Sequence, residues 1–221
     1  KDLFISYYGN KVFGKTNNYY LIAKKGKVKF EKYNKFLKKN KLFYKKKFLL
    51  IKNKFIEKTI LTNEKILNFF LFKKQVLKKI KNSNLNLKFK KEFDNQKLQN
   101  YDKVIIATYS NNNFVLKKLG IKNLQEYKFE LVEKILVKLP KQYAKKSFVV
   151  VDGNYVCVDP YVGTKYHLLS DVRLSKLEVK TGKYPIFKNK NKKYLNKGII
   201  KNMKISKFES FIKRSSRFLP F

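Results

Sequence analysis

YDKVIIATYS, the stretch at residues 101–110, decides the fold that the sequence predicts. Val104, Ile105 and Ile106 form an uninterrupted apolar run, which is typical of a strand covered on both faces, as in the parallel sheet of an α/β layer. Ala107 and Thr108 follow at the carboxyl end of this strand, which is where open α/β sheets bind their ligands. The stretch therefore predicts a mixed α/β fold with a ligand site directly after the strand.

A short helix is expected next. One of the asparagines at 111–113 can cap its amino end, its apolar side chains lie between Phe114 and Leu119, and Gly120 can end it. The first N–H groups of a helix have no partner within the helix, so its amino end favours an anion. We therefore expect a phosphate or another anion near this turn.

The same stretch resembles the FAD-dependent oxidoreductases of the glycine and D-amino-acid oxidase family. In that family an acidic residue and an apolar run typically precede Ala-Thr-Gly. Here the matching residues are Asp102, the run at 104–106 and the pair Ala107-Thr108, with Tyr109 where glycine is usual. The resemblance implies an FAD-binding α/β layer and hydride transfer from a small amine- or amino-acid-like substrate to the flavin. It also implies FAD contacts from Ala107, Thr108, Tyr109 and Ser110.

A second part of the chain resembles the substrate-facing antiparallel sheet of that family. Residues 152–160 read DGNYVCVDP and residues 166–172 read YHLLSDV, and the two segments look like a pair of neighbouring strands. They follow the first resemblance in the expected order. The resemblance implies a small-molecule substrate that is contacted by His167, Tyr155 and Tyr166.

One motif of these flavoproteins is absent from the sequence. The G-x-G-x-x-G turn, which brings the backbone against the pyrophosphate of the cofactor, occurs nowhere in the 221 residues. We therefore interpret the chain as an internal fragment of a longer flavoprotein or as a degenerate copy. An inactive remnant of the flavoprotein stays open as an alternative.

The charge of the chain suggests a different function. Lys and Arg number 54 against 15 Asp and Glu, so the formal net charge is +39. Such a charge is typical of nucleic-acid-binding proteins and predicts nonspecific, salt-sensitive binding to polyanions. Arginine, which base-reading and phosphate-binding sites favour, occurs only at 173, 214 and 217. A lysine-rich nucleic-acid-binding protein without catalysis is therefore the alternative, and A- and T-rich codons would produce a similar composition.

A predicted amphipathic helix carries the strongest candidate for a nucleic-acid contact. Thr62 or Asn63 can cap it, and its apolar positions between Ile66 and Ile80 are expected to face a core. Its lysines form a basic face at 73, 74, 78, 79 and 81. Lysines on the exposed side of such a helix are usually only solvated, so both interpretations stay open.

The predicted organisation has three consecutive parts. Residues 1–126 are expected to form a partial FAD-binding layer with interleaved substrate-domain elements, residues 127–187 an antiparallel substrate-domain sheet, and residues 188–221 a polar loop and a carboxyl-terminal helix. A further strand is expected at 48–51. In the second part, alternating apolar residues predict strands at 127–139, 147–152, 155–158, 166–169 and 172–179 that form an antiparallel meander.

Candidate catalytic residues are few. His167, the only histidine, is either a general base or substrate contact, or a strand residue bonded to neighbouring backbone. Tyr155 and Tyr166 either bind a substrate carboxylate or pack. Asp152 and Asp159 flank a Gly-Asn pair and are interpreted as turn formers. No catalytic residue is assigned, because a flavin itself carries the redox chemistry.

Other classes of site and location find little support in the sequence. A single histidine and a single cysteine exclude a His/Cys zinc cluster, and neither a phosphate-binding P-loop nor a G-x-S-x-G elbow is present. Cys157 is expected to pack in a strand, and one cysteine permits no internal disulfide, which fits a cytoplasmic protein. No apolar run approaches the roughly 18 residues of a membrane span.

Overall fold

The computed structural model describes residues 2–47, 53–94, 100–153 and 155–219. The strand predicted at 48–51 and Asn154 of the predicted turn lie outside these residues. The described residues form a large mixed sheet, a small antiparallel sheet and several short helices. The predicted mixed α/β class is therefore confirmed.

The helices and strands follow one another in a mixed order. The helices are α1 (Asp2–Tyr8), α2 (Phe30–Lys39), α3 (Phe69–Lys81), α4 (Asn112–Lys118), α5 (Asn189–Lys192) and α6 (Phe208–Ser215). The strands are β1 (Asn17–Ala23), β2 (Tyr44–Lys47), β3 (Ile56–Thr62), β4 (Tyr127–Val132), β5 (Ile135–Val137), β6 (Lys146–Val151), β7 (Val156–Pro160), β8 (His167–Asp171) and β9 (Lys176–Gly182).

The chain divides into two compact units. Unit 1 comprises Lys1–Leu85, Glu133–Ser175 and Lys207–Phe221, and unit 2 comprises Asn86–Val132 and Lys176–Ser206. Neither unit is one continuous range. This division differs from the consecutive parts predicted at 1–126, 127–187 and 188–221.

Unit 1 is built on a seven-stranded sheet with the strand order β2-β3-β1-β6-β7-β8-β5. Strands β1 and β6 run parallel, and the other neighbouring pairs are antiparallel. The predicted meander is confirmed for β6, β7 and β8. The segment predicted at 127–139 instead splits into β4 and β5, which belong to different sheets, and the segment predicted at 172–179 contributes only β9 of unit 2.

The apolar core of unit 1 lies mainly on one face of this sheet. Alternate residues of β1, β6 and β7 point to it, as expected for a pleated strand with one buried face. Phe148, Val156 and Val158 are each 1% exposed, and Phe211 of α6 is fully buried against them. The predicted carboxyl-terminal helix is thus confirmed as the element that covers this face. On the other face, α2 buries Phe30 and Leu37 in a smaller cluster with residues of β1 and β3.

Helix α3 differs from its prediction. It begins at Phe69 after Asn68, whose side-chain oxygen accepts a hydrogen bond from Leu71 N at 3.2 Å. Thr62 ends β3 instead of capping this helix. None of the residues of α3 is buried, although the ring of Phe72 packs edge-on against Tyr8 of α1 at 5.0 Å. The predicted core-facing stripe is therefore wrong, because periodicity shows that a helix has an apolar side but not that a partner covers it.

The apolar run that opens the predicted cofactor site is not a strand. Residues 104–106 form no regular structure, and Val104 and Ile105 are 48% and 91% exposed. Within unit 2, β4 pairs with β9, and no described strand pairs with this run. A strand needs a hydrogen-bonded neighbour, so the prediction is wrong for lack of one.

The helix predicted after this run is confirmed as α4. It begins at Asn112 and ends at Lys118, and Gly120 follows two residues later with a φ of 79° in the left-handed region. Gly120 N bonds to Lys117 O at 2.9 Å and Ile121 N bonds to Leu116 O at 3.0 Å. This pair of bonds is the Schellman motif, in which glycine avoids the strain of a side chain.

A buried ion pair holds α6 on the sheet. The Asp171 side chain, at the end of β8, has no exposed surface and accepts hydrogen bonds from Arg173 N at 2.8 Å and Leu174 N at 2.9 Å. The Nε of Arg214, on α6, donates to the other carboxylate oxygen. The carboxylate thus joins the end of the sheet to the helix that covers the core.

We predict that Arg214→Leu lowers the free energy of unfolding by about 3 kcal/mol, because it leaves the Asp171 carboxylate buried without its cation. Urea unfolding followed by circular dichroism measures the change. Arg217→Leu is the matched control, since Arg217 is exposed, and it should change the stability by less than about 0.5 kcal/mol. Equal losses in the two variants would show that the ion pair does not stabilise α6.

Candidate functional site

A pocket of about 530 Å³ lies within unit 2. It is lined by residues 109, 110 and 112, by residues 127–131 of β4, and by side chains of the segment 185–196. Its size falls within the roughly 300–1,000 Å³ of small-molecule sites. Of the four residues predicted to contact FAD, Tyr109 and Ser110 line this pocket, whereas Ala107 and Thr108 do not.

The turn before α4 determines which residues reach the pocket. Asn112 Oδ1 accepts hydrogen bonds from Thr108 N at 2.9 Å and from Thr108 Oγ1 at 2.8 Å. Tyr109 follows in the left-handed region, with φ at 54°, and is 92% exposed. A side chain in this region is strained, and glycine is the residue that adopts it freely. The unusual tyrosine therefore stands at a position where the backbone favours glycine.

A buried amide fixes α4 within unit 2. Asn113, which is 2% exposed, donates from Nδ2 to Gln125 O and to Lys183 O, each at 2.7 Å. The sequence suggested only a capping role for this residue. The two hydrogen bonds instead tie the helix to the segment before β4 and to the segment after β9, and so set one side of the pocket.

The pocket combines aromatic walls with a charged strand. Phe129 and Phe187 are 9% and 7% exposed. On β4, the Glu130 carboxylate lies 2.7 Å from Lys176 Nζ and 3.2 Å from Lys128 Nζ. The hydrogen bond from Lys176 is the largest of the effects that hold the pKa of the Glu130 carboxyl below its usual value. The carboxylate is therefore ionised and paired at neutral pH.

The pocket residues fit one planar ring system rather than a whole dinucleotide. Aromatic rings at 109, 127, 129 and 187 can contact the face of such a ring, and Ser110, Asn112 and Asn196 can hydrogen-bond to its edge. None of the lining residues is a glycine, so close approach of a pyrophosphate to the backbone is not favoured here. Helix α4 has only two turns, and an anion at its amino end stays a prediction.

The three predicted substrate residues have different surroundings. His167 is 1% exposed, and burial lowers the pKa of its imidazole more than the backbone of Tyr143 and Lys146 raises it. The Tyr155 ring packs edge-on against Phe218 at 5.2 Å. Tyr166 lies beneath Lys165 Nζ, 5.7 Å from the ring centre. His167 is thus a buried strand residue whose two ring nitrogens make no hydrogen bond of ordinary geometry, and its role stays a prediction.

A row of polar side chains on the large sheet was missed from the sequence. Asp159 was interpreted as a turn former, but it lies within β7, and its carboxylate accepts a hydrogen bond from Ser147 Oγ at 2.6 Å. Ser147 of β6 is level with Asn18 of β1 in the parallel register. These three residues therefore cross the sheet side by side, on the face opposite α6. Asp152, by contrast, lies in the predicted bend after β6.

Further polar side chains lie beside this row, with Tyr20 on β1 and Cys157 on β7 separated by Val149 of β6. Cys157 Sγ lies 3.0 Å from Ser170 Oγ, and Tyr20 donates its hydroxyl to a Glu64 carboxylate oxygen at 2.6 Å. Burial, and then the Asp159 charge, raise the pKa of the Cys157 thiol, so this residue stays protonated and unreactive. Burial and the Glu64 hydrogen bond likewise raise the pKa of Tyr20.

Alternation along β7 could have revealed the polar residues of this strand. Val156, Val158 and Pro160 are buried, so Cys157 and Asp159 between them share the opposite face. The preference of Asp before Pro for turns points the other way at Asp159, and the strand pattern prevails. Ser147 and Asn18 carry no comparable signal, because only the pairing of β1 with β6 brings them together.

We predict that Tyr109→Gly is more stable than Tyr109→Ala by about 1 kcal/mol, because only glycine adopts the left-handed backbone without strain. Urea unfolding of the two variants measures the difference. Tyr101 provides the matched pair, since it is an exposed tyrosine of unit 2 with an ordinary φ. There the alanine variant should be the more stable one. The same order at both positions would contradict the left-handed turn at Tyr109.

The described residues contain neither a metal-binding cluster nor a membrane-spanning helix. No group of three or more His, Cys, Asp or Glu side chains in ranges 2–47, 53–94, 100–153 and 155–219 is arranged to hold a metal ion. No helix in this part of the chain is long and apolar enough to cross a membrane. Comparisons with models of known protein families, with curated proteins and with solved structures found no match. The function therefore rests on the residues and the geometry described above.

Proposed function

We propose that this chain is part of an FAD-dependent oxidoreductase that removes hydride from a small amine- or amino-acid-like substrate. One observation carries the proposal. Tyr109 and Ser110, which the family resemblance assigns to the cofactor, line the pocket of about 530 Å³ in unit 2. A stretch singled out by its resemblance to a cofactor site therefore adjoins a cavity of the size that such a site needs.

The chemistry of the pocket supports this assignment. Tyr109 and Tyr127 provide aromatic surface for stacking against a flat ring, and Ser110 and Asn112 provide donors and acceptors for its polar edge. FAD, when bound, accepts the hydride, and the protein binds and orients the partners and excludes water. Of these roles, the pocket residues need only to bind one ring system of the cofactor.

The paired strands β7 and β8 support the second resemblance. The segments 152–160 and 166–172 were compared with neighbouring strands of a substrate-facing sheet. In the structure they pair antiparallel, with Cys157 opposite Ser170 and Val158 opposite Leu169. The missing glycine-rich turn fits a fragment of a longer flavoprotein, in which another part of the protein holds the pyrophosphate. A cytoplasmic location is proposed with it, on the ground of the single Cys157.

The second candidate function is nonspecific binding of polyanions. Helix α3 supports it, because the helix buries none of its residues and its lysines at 73, 74, 78, 79 and 81 are exposed. A net charge of +39 would add attraction for any polyanion. Binding through α3 would involve no residue of the pocket in unit 2.

Titration of the purified chain with FAD tests the main proposal. In about 1 M salt, where the Debye length is only about 3 Å, we expect quenching of flavin fluorescence and flavin absorption that stays with the protein on gel filtration. Ser110→Trp fills the pocket and should weaken binding about tenfold or more, which corresponds to about 1.4 kcal/mol. Ser83→Trp is the matched control, since Ser83 is exposed and lies outside the pocket.

Two results would contradict the proposal. One is a folded protein that takes up no FAD, and the other is equal binding by the wild type and Ser110→Trp. Flavin binding that collapses between about 50 and 200 mM salt would instead indicate attraction of its phosphates to lysines, as the polyanion alternative predicts.

A further inference from the structure

Hydrogen-bond acceptors gather on one face of unit 1 in an otherwise strongly basic chain. Only 15 residues are acidic against 54 basic ones. Nevertheless, two carboxylates lie near Tyr20, which is on the sheet face opposite α6. The charges of Glu64 and Asp159 each help to raise the pKa of the Tyr20 phenol. Two carboxylates near one tyrosine make a local surface that differs in charge from the rest of the molecule.

The strand register determines which polar side chains of this surface are neighbours. Asn18 on β1 is level with Ser147 on β6, and the Ser147 hydroxyl donates to Asp159 on β7 at 2.6 Å. Neighbouring strands lie about 4.8 Å apart, so Asn18 and Asp159, two strands apart, are separated by about 10 Å. Asp159 therefore forms one end of a short polar row, and Asn18 forms the other.

Glu64 lies at the Asn18 end of this row. Its carboxylate accepts the Tyr20 hydroxyl at 2.6 Å, and its main-chain oxygen accepts a hydrogen bond from Asn18 Nδ2. The Tyr33 ring lies edge-on to Tyr20, with ring centres 6.3 Å apart. A carboxylate and two aromatic rings thus surround the end of the row, and both kinds of group attract a positive charge.

One atom at this end has no partner. Asn18 is 2% exposed, and its Oδ1 makes no hydrogen bond although its Nδ2 is held by Glu64. A buried acceptor without a donor is unfavourable, and native structures rarely leave one so. The other atom of the same amide group, Nδ2, is held by the Glu64 main chain, so the free oxygen belongs to a side chain that is fixed at this end of the row. A ligand that carries N–H donors would satisfy it.

We propose that this surface of unit 1 binds a protonated organic amine. Glu64 and Asp159 balance its charge, Asn18 Oδ1 accepts one of its N–H groups, and Tyr20 and Tyr33 contact its alkyl part. A short diamine fits best, because it presents an ammonium group to each carboxylate. This inference goes beyond the proposed flavin function and does not depend on it.

The other ligand classes fit this surface less well. An anion would meet two carboxylates and an unpaired carbonyl oxygen. A metal ion would need a group of three or more ligating side chains, and the described residues contain none. Lys134 lowers the pKa of the Cys157 thiol and so marks a basic edge of the surface. Elsewhere the charge of +39 repels cations, so an amine that binds must find a local site.

Calorimetric titration with putrescine tests the proposal, with butanediol as the uncharged analogue of the same length. At about 0.15 M salt, where the Debye length is about 8 Å, distant lysines are screened. We expect saturable binding of putrescine and none of butanediol. Glu64→Gln and Asp159→Asn should each weaken binding about tenfold, and Glu209→Gln, which removes an exposed charge on α6, should leave it unchanged.

Folding does not confound this test, because the Glu64 residue is exposed and Asp159→Asn keeps an acceptor for Ser147. Absence of putrescine binding, equal binding of butanediol, or equal losses in Glu209→Gln would each overturn the proposal. The titration contains no flavin, so its outcome is separate from that of the FAD experiment.

Discussion

The parallel pairing of β1 with β6 is the contact on which the rest of unit 1 depends. It joins segments that are far apart in the sequence, residue for residue from Asn17 opposite Lys146 to Ile22 opposite Val151. The register decides which side chains share a face: Tyr19 with Phe148 lies on the α6 side, and Asn18 with Ser147 lies on the other. A shift by one residue would exchange the two faces, placing polar groups in the core and aromatic rings outside it. The core and the polar row therefore follow from the same pairing.

The two faces of the sheet are covered unequally, and this difference gives the molecule its candidate amine site. Helix α6 covers the apolar face, with Phe211 fully buried, and Arg214 on the same helix is tied to the Asp171 carboxylate. Helix α2 covers the other face mainly over β1 and β3, with Tyr44 of β2 and Val151 of β6 at the edges of the same cluster. Over β7 and β8 the residues Cys157, Asp159 and Ser170 stay partly exposed. At the border of this covered area, Glu64 and Asp159 keep exposed surface while hydrogen bonds from Tyr20 and Ser147 hold their carboxylates, which is what a preorganised binding site needs.

Local patterns in the sequence predicted the local parts of this structure. Alternation and turn residues were sufficient for β6, β7 and β8, and Gly120 ends α4 as its residue type suggests. Predictions failed where the outcome depends on a distant partner. The run at 104–106 resembles a buried strand but has no neighbour among the described strands, and α3 has an apolar stripe that nothing covers fully. The pocket at Tyr109 and Ser110 was anticipated from a resemblance, whereas its walls at Phe129 and Phe187 come from segments that only the fold brings together.

Amide hydrogen exchange with and without FAD tests most directly whether the pocket in unit 2 takes the flavin. The account predicts slower exchange on addition of FAD at Tyr109, Ser110 and the amides of β4 from Tyr127 to Leu131, since these residues line the pocket. Exchange in the lysine-rich helix α3 should not change. Unchanged exchange around the pocket, or protection confined to α3, would contradict the flavin assignment and favour simple attraction of a phosphate-bearing ligand to a basic protein.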